Sequence, residues 1–164
     1  MKEECITVRT ASSVETINLG NKLGKTLYKG DVIALEGELG SGKTCFTKGL
    51  ALGLGVLSET IITSPSFPLI NEYEGRLNLF HMDVYRLESI SDFLSAGLDE
   101  YFYMDGVVAM EWAERWPEVL PKCTLKMKIV IIDDQARKIT FSGVHSRALE
   151  ILKKLKGTGP ITLT

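Results

Sequence analysis

The sequence predicts an α/β fold with a mixed central β-sheet flanked by helices. The apolar stretch VIALE runs directly into the glycine-rich stretch GELGSGKT, and apolar residues at helical spacing follow. Strand, phosphate-binding loop and helix in this order are typical of P-loop NTPase-like domains. Two later stretches are patterned as β-hairpins, so we expect a mixed sheet rather than a purely parallel one.

The first part of the chain alternates between strand and helix patterns. CITVRT alternates as a strand does, and residues 12–27 carry apolar side chains near helical spacing. Ser12 and Glu15 fit a capping box, which satisfies free N–H groups where a helix begins. VIALE is predicted to be a buried strand, and residues 43–52 the next helix, which Gly53 can end.

The later elements are less regular. PLINEYEGRLNLFHMDVYR predicts a hairpin, ISDFLSAGLDEYF a short helix with a loop, and GVVAMEW a buried strand that ends on a carboxylate. WAERWPEVLP predicts a turn between two prolines, and TLKMKIVIID with RKITFSG a second hairpin. HSRALEILKKLK closes the series as an amphipathic helix with Leu149, Leu152 and Leu155 on one side.

Length and composition indicate one folded domain over residues 1–164. The chain has 45% hydrophobic and 24% charged residues, which is typical of a globular protein with a sizeable core. A net charge of −2 gives no general attraction to DNA or to anionic membranes. Every apolar run is far shorter than the roughly 20 residues of a membrane span, and no secretory signal is visible. Three cysteines without CxxC spacing fit reduced thiols, so we expect a cytoplasmic protein.

Gly37, Gly42, Lys43 and Thr44 fit the phosphate-binding pattern G-x-x-x-x-G-K-[ST]. Glycines let the backbone curl so that successive N–H groups point at phosphate oxygens, and the following helix adds its positive end. The lysine contacts the outer phosphates, and the threonine hydroxyl binds the Mg²⁺ that bridges them. The residues predicted to bind the nucleotide in this segment are Glu38, Leu39, Gly40, Ser41, Gly42, Lys43, Thr44 and Cys45.

Phosphoryl transfer also needs carboxylates near the metal, and two predicted strands end on one. Asp83 ends LNLFHMD, and Glu111 ends GVVAME. The carboxyl ends of strands in an open α/β sheet border the ligand crevice, so both are candidate catalytic residues. From these patterns alone, either one holds Mg²⁺ or orients an attacking water.

These motifs together resemble the TsaE (YjeE) family, the ATPases of bacterial tRNA threonylcarbamoyladenosine biosynthesis. The resemblance runs from about residue 13 to residue 121. It rests on TINLGNKLG, on GELGSGKT, on SPSF at 64–67, on HMDVYRL at 81–87 and on EW at 111–112. HMDVYRL and EW are more distinctive than the phosphate-binding loop.

The resemblance implies a role for each piece. Thr44 and Glu111 would bind the metal, and Asp83 would belong to the shell of metal and water. Ser66 stands where the family usually has threonine, and its hydroxyl would lie in a switch segment that senses the γ-phosphate. Trp112 would lie near the nucleotide or a moving loop.

The resemblance also implies ATP and Mg²⁺ as cofactors and TsaB and TsaD homologues as partners. The ATPase would be weak alone and activated by those partners. It would support their transfer of a threonylcarbamoyl group to a tRNA adenosine next to the anticodon, with an indirect tRNA contact. The segment 122–156 holds nine basic and three acidic residues, which predicts either a solvated face or a surface for RNA or an acidic partner.

Three other functions are weighed against this one. A small-molecule kinase would need a lid of arginines, but the six arginines are scattered. A GTPase-type switch would need an N-K-x-D element after the loop, and the sequence has none there. A nucleotide-binding scaffold without turnover stays open, because strand-end carboxylates bind metal whether or not water attacks. His81 is interpreted either as a structural hydrogen-bonding residue or as a base.

Overall fold

The computed structural model describes residues 2–65 and 69–157, and the seven strands in these residues join one sheet. The strands are β1 (Glu4–Thr10), β2 (Val32–Glu36), β3 (Ile70–Tyr73), β4 (Asn78–Asp83), β5 (Gly106–Glu111), β6 (Leu125–Ile131) and β7 (Arg137–Gly143). Their order across the sheet is β1-β7-β6-β2-β5-β4-β3. The four central strands are parallel, and β1, β7 and β3 pair antiparallel at the two sides. The mixed sheet predicted from the two hairpins is therefore confirmed.

Helices cover both faces of this sheet. The α-helices of the described residues are α1 (Ser13–Thr26), α2 (Lys43–Gly53), α3 (Ile90–Ser95) and α4 (Ser146–Lys156), and 3₁₀ helices occupy Leu98–Tyr103, Ala113–Arg115 and Pro117–Val119. Alternate side chains of β2 separate two cores. Ile33 and Leu35 pack with α1, α2 and α4, while Val32 and Ala34 pack with α3 and the 3₁₀ segments.

Helices α1 and α2 cross so closely that glycine is required at the contact. A Cβ atom added to Gly24 would lie 2.8 Å from the Cα of Gly53, and the reverse substitution gives the same distance. The guanidinium of Arg76 donates to the carbonyl oxygens of both glycines at 3.1 Å. This contact fixes the position of α2, and with it the loop that precedes that helix.

The N-terminal cap of α1 contains one of the two hydrogen bonds of the predicted capping box, and the second bond has a different donor. The Ser12 hydroxyl accepts the Glu15 N–H at 3.2 Å, as expected. The Glu15 carboxylate instead accepts the N–H of Ala11, at 2.5 Å, one residue before the cap. Both bonds still satisfy N–H groups at the point where the chain enters the helix.

Three predicted segments differ from the structure in detail. The loop predicted after α3 is a 3₁₀ helix at Leu98–Tyr103, and the turn between the two prolines contains two short 3₁₀ helices. In α4 the buried side chains are Ala148, Ile151, Leu152 and Leu155, while Leu149 is only half-buried. The buried stripe is thus rotated from the predicted one, because Ala148 and Ile151 pack against the sheet as well.

The basic segment does not form one uniform surface. Arg147 makes a two-pronged ion pair with buried Asp31, with Nε–Oδ1 and Nη2–Oδ2 distances of 2.8 and 2.6 Å. Arg137 also points inward, as described below. Lys126 and Lys128 are exposed on β6, while Lys153 and its neighbours belong to the last turn of α4. Within 2–65 and 69–157 no helix combines the length and the hydropathy that a membrane span needs.

Candidate nucleotide-binding site

The phosphate-binding loop leaves the carboxyl end of β2 at the centre of the sheet. Gly40 and Gly42 have φ angles of 79° and 109°, in the left-handed region that residues with a Cβ avoid. Gly42 is the N-cap of α2, which begins at Lys43. The loop therefore curls as the glycine pattern predicts and delivers the helix N-terminus to the same place.

Lys43 lies within the loop rather than in solvent. Its side-chain nitrogen donates to the carbonyl oxygen of Gly37, and to that of Glu38 at 3.2 Å. The residue is 8% exposed, and its Nζ lies 5.1 Å from the centre of the Trp112 ring. The Ser41 hydroxyl is buried, and no partner for it lies among the described residues. A cation and an unsatisfied hydroxyl are thus held next to the curled backbone.

The other predicted loop residues are accessible. Glu38, Gly40 and Thr44 are exposed, and Leu39 at the tip of the loop is 93% exposed. Cys45 is half-buried at the start of α2. The Thr44 hydroxyl is therefore free to meet a cation, as the motif requires.

The two predicted carboxylates lie side by side at the same edge of the sheet. Asp83 and Glu111 are direct partners in the parallel register of β4 and β5, and β5 pairs with β2 on its other side. Lys43 acts electrostatically on both carboxylates. The structure thus brings the loop and both strand ends together, as the argument from strand ends predicts.

Glu111 is buried and held by two donors. Its Oε2 accepts the Ser64 hydroxyl at 2.9 Å and a ring N–H of His81, through Nε2, at 3.1 Å. Burial alone would raise the Glu111 pKa, but the His81 hydrogen bond, the Ser64 hydrogen bond and the Lys43 charge together hold it below its ordinary value. Glu111 is therefore a charged carboxylate with a fixed orientation.

Asp83 has a different environment, because it is only half-buried. One oxygen, Oδ1, accepts the N–H of Tyr85 at 2.9 Å. Burial, with the neighbouring Glu111 charge adding to it, raises the Asp83 pKa above its ordinary value. Two carboxylates in register repel each other, and a divalent cation between them or beside them would relieve that repulsion.

Trp112 follows Glu111 with a positive φ of 63°, which is unusual for a residue with a bulky side chain. Its ring lies 4.9 Å from the Tyr85 ring, centre to centre, at 45°. Arg115 donates to the carbonyl oxygen of Tyr85 and, at 3.4 Å, to that of Val84. These contacts brace the chain that leaves β4 against the chain that leaves β5, whereas Arg86 is exposed.

Sequence reasoning missed three contributors to this site. His81 was considered without its partner, and Ser64 appeared only within SPSF. Arg137 was not singled out, yet its Nε donates to the Ser41 carbonyl oxygen at 2.7 Å, from 96 positions away. No sequence signal points to that contact, because it depends on the tertiary fold, which brings the start of β7 close to the loop. Ser66, predicted to contact the nucleotide, lies outside the described residues.

A preformed protein cage for a metal is absent from the described residues, where no group of three or more His, Cys, Asp or Glu side chains converges. The donors that fit Mg²⁺ are oxygens, from the Thr44 hydroxyl and the carboxylates of Asp83 and Glu111. Mg²⁺ usually takes one or two carboxylates and completes its shell with phosphate oxygens and water, so these residues fit that ion.

A groove of about 410 Å³ crosses the sheet beyond the loop, and a second of about 370 Å³ adjoins the loop itself. The groove next to the loop is lined by Glu36, Gly37, Glu38, Trp112, Glu114, Lys128, Ile129, Val130 and Ile131. The space beside the candidate site is therefore partly apolar and partly charged.

Comparison with known proteins identifies the family. The family model for threonylcarbamoyl adenosine biosynthesis protein TsaE matches residues 10–139. The tRNA threonylcarbamoyladenosine biosynthesis protein TsaE of Treponema pallidum is 47% identical over 129 residues, which cover 79% of this chain and 94% of that protein. Its Bacillus subtilis counterpart is 46% identical over 140 residues, covering 85% and 86%.

A solved structure supports the fold as well. The crystal structure of Bacillus subtilis YdiB superposes with a TM-score of 0.82 at 39% identity, covering 96% of this chain and 97% of that one. The α/β fold of the P-loop kind predicted from the sequence is therefore confirmed. The match spans the phosphate-binding loop, both strand-end carboxylates and β6, and the chain belongs to the TsaE family of threonylcarbamoyl adenosine biosynthesis proteins.

Proposed function

We propose that this protein is a Mg²⁺-dependent ATPase that supports tRNA threonylcarbamoylation. The main observation that supports the proposal is that three features lie together at one edge of the sheet. These are the glycine-rich loop with buried Lys43, the charged carboxylate of Glu111 and the half-buried carboxylate of Asp83. Phosphate binding, metal binding and water positioning are the three needs of ATP hydrolysis.

In this proposal the loop binds the phosphates before any chemistry. The backbone N–H groups of Gly42, Lys43 and Thr44 at the start of α2 face the anion, whereas the Ser41 N–H donates to the Glu38 carbonyl oxygen within the loop. Lys43 exchanges the carbonyl oxygens of its own loop for phosphate oxygens. The Thr44 hydroxyl and one carboxylate would hold Mg²⁺, which neutralises phosphate charge when bound. The unsatisfied Ser41 hydroxyl suits an anionic ligand as well.

The chemistry is attack of water on the γ-phosphorus of ATP, with ADP as the leaving group. Catalysis rests on positioning and electrostatics rather than on covalent steps. Glu111 is suited to orient the water, since His81 and Ser64 fix one oxygen and the Glu111 pKa is held low, so the other oxygen is available as an acceptor. Asp83, nearer to solvent, is suited to the metal and its waters.

The rim of the site offers surface that partner proteins could contact. Leu39 at the loop tip and Tyr85 beside Trp112 are 93% and 60% exposed, so the rim presents apolar surface. Exposed apolar side chains beside a site are available for contact with another protein. We infer that homologues of TsaB and TsaD cover it in the cytoplasm, raise the hydrolysis rate and reach tRNA, so that contact of this chain with tRNA is indirect.

The kinase alternative loses support because most of the arginines have internal partners. Arg76 donates to carbonyl oxygens at the α1–α2 crossing, and Arg137 donates to the phosphate-binding loop. Arg147 pairs with the buried Asp31, and Arg115 donates to the chain that follows β4. Of the six arginines, two remain for an arginine lid of the kind that sheathes phosphates in kinases.

The test is ATP turnover by the purified protein, alone and with TsaB and TsaD, with tRNA modification scored in the same reactions. We expect slow hydrolysis alone, faster hydrolysis with both partners, and repeated rounds of modification only when ATP is hydrolysed. Hydrolysis that ignores the partners, together with modification that ignores this protein, would contradict the proposal. Binding of ATP without any turnover would favour the scaffold alternative.

A further inference from the structure

Arg137 joins the phosphate-binding loop to the β6–β7 turn. It is the first residue of β7, half-buried, and its Nε donates to the carbonyl oxygen of Ser41 at 2.7 Å. On the other side, Nη1 donates to the carbonyl oxygens of Asp133 at 2.7 Å and of Ala136 at 2.9 Å. One guanidinium thus bridges two segments that are far apart in sequence.

The bond to Ser41 fixes one peptide group of the loop. In a trans peptide the carbonyl and the following N–H point in opposite directions, so holding the Ser41 carbonyl toward Arg137 turns the Gly42 N–H away from it. Gly40 and Gly42 both have positive φ, and glycines leave such a peptide free to rotate. A rotated peptide would present a carbonyl oxygen to the phosphates in place of an N–H donor.

The turn does not need Arg137 to hold its own shape. The Asp133 carboxylate already accepts the N–H groups of Gln135 and Ala136, at 2.9 and 2.7 Å, and the Ile132 N–H donates to the Ala136 carbonyl oxygen at 3.0 Å. The β6–β7 turn therefore holds the Arg137 guanidinium in place through Nη1, and Nε is the atom that acts on the phosphate-binding loop.

We propose that Arg137 is a positioning residue of the phosphate-binding loop, which keeps the Ser41–Gly42 peptide oriented for the diphosphate part of the nucleotide. The inference rests on the proposed nucleotide binding. Arg137 acts through the peptide, so both ADP and ATP depend on it, and the catalytic step after binding does not. Substitution of Arg137 therefore raises the KM for ATP and leaves kcat close to the wild-type value.

The experiment compares Arg137→Gln and Arg137→Lys with Lys138→Gln, which removes the same charge from the next residue, an exposed one. Affinity for Mg·ADP is measured by calorimetry, KM and kcat for ATP by phosphate release, and the unfolding temperature without nucleotide. We expect Arg137→Gln to weaken ADP binding about tenfold, as for a lost charge-assisted hydrogen bond. Arg137→Lys recovers part of the loss, since an ammonium reaches one carbonyl only, and Lys138→Gln matches the wild type.

Three results bear against the inference and are distinguishable. Wild-type protein that does not bind Mg·ADP contradicts the proposed function itself. Wild-type binding with an equal affinity in Arg137→Gln overturns only the role of Arg137. Equal losses in both Arg137 variants, tracking a lower unfolding temperature that Lys138→Gln does not show, assign Arg137 to stability and likewise overturn the positioning role.

Discussion

His81 and Glu111 form a buried pair across neighbouring parallel strands. The Nε2 and Oε2 atoms are 3.1 Å apart, and the two side chains are 0% and 3% exposed. A carboxylate enclosed in this way stays charged only while its donors stay in place. The pair therefore explains how a residue at the end of a buried strand keeps an oriented negative charge beside the phosphate-binding loop.

Glu111→Gln is expected to abolish turnover and leave nucleotide binding largely intact. The amide preserves the shape of the side chain but removes the charge that orients water, and loss of such a group costs about 100-fold or more in rate. Phosphate release gives the rate, and calorimetry with Mg·ADP gives the affinity.

The matched control for this change is Glu118→Gln, an exposed carboxylate seven residues later that lies outside the groove beside the loop. It should retain normal turnover. If Glu111→Gln loses nucleotide affinity to the same degree as turnover, Glu111 acts chiefly through the metal rather than on the attacking water.

His81→Ala is expected to destabilise the protein as well as to slow it. The substitution leaves the buried, charged Glu111 carboxylate without its His81 donor, and removing a hydrogen-bond partner from a buried charged group costs about 3 kcal/mol. The free energy of unfolding is measured by urea titration, and turnover is measured on the fraction that remains folded.

His81→Asn separates the hydrogen bond from the ring, because its amide can still donate a proton. It should recover part of the stability and part of the rate that His81→Ala loses. If both variants are as stable as the wild type, the pair contributes nothing net to folding, and the low Glu111 pKa must come from Ser64 and Lys43.

Asp83→Asn should stabilise the metal-free protein at pH 7, by about 1 kcal/mol, because it removes a charge that functional sites often keep at the expense of stability. Burial, with the Glu111 charge adding to it, raises the Asp83 pKa above the ordinary 3.8, so folding disfavours the charged form. The gain is present above the raised pKa, shrinks as pH falls through that pKa, and is lost below 3.8, where the wild-type side chain is protonated in both states. Urea titrations at pH 7 and pH 4 test the sign.

Asp105→Asn is a suitable control for that change, because Asp105 is an exposed carboxylate in a loose ion pair, 3.7 Å from Lys29. Its stability should change little at either pH. A fall in stability for Asp83→Asn at pH 7 would show that the Tyr85 N–H bond outweighs burial and repulsion.

The local parts of this molecule could be predicted from sequence, because they depend on neighbouring residues. The strand, loop and helix around Gly37–Thr44 follow from apolar runs and glycine spacing, and the capping serine from its position. Asp83 and Glu111 were predicted as strand ends. The structure adds that they are direct neighbours, which requires β4 and β5 to lie side by side.

The remaining contacts of the site depend on strand order, which periodicity does not encode. Glu111 lies 30 positions from His81 and 47 from Ser64, and Arg137 lies 96 positions from Ser41. The His81 pair forms only after β4 pairs with β5, and the Arg137 pair only after β6 pairs with β2 and β7 with β6. The Ser64 pair also needs the segment before β3 to lie beside the end of β5. A single sequence carries the residue types of such pairs without indicating which partner each one meets.

Alkylation of Cys45 should be slowed by nucleotide, since Cys45 lies at the start of α2, directly after Thr44. At about 100 times the Kd only about 1% of the protein is unbound, so the rate should fall by up to about 100-fold. Iodoacetamide labelling with and without Mg·ADP, read by peptide mass spectrometry, measures this. Exposed Cys5 is the internal control, and half-buried Cys123, whose pKa is raised by burial, should react slowly in both states. An unchanged Cys45 rate in protein that binds Mg·ADP would mean that the nucleotide does not cover the start of α2.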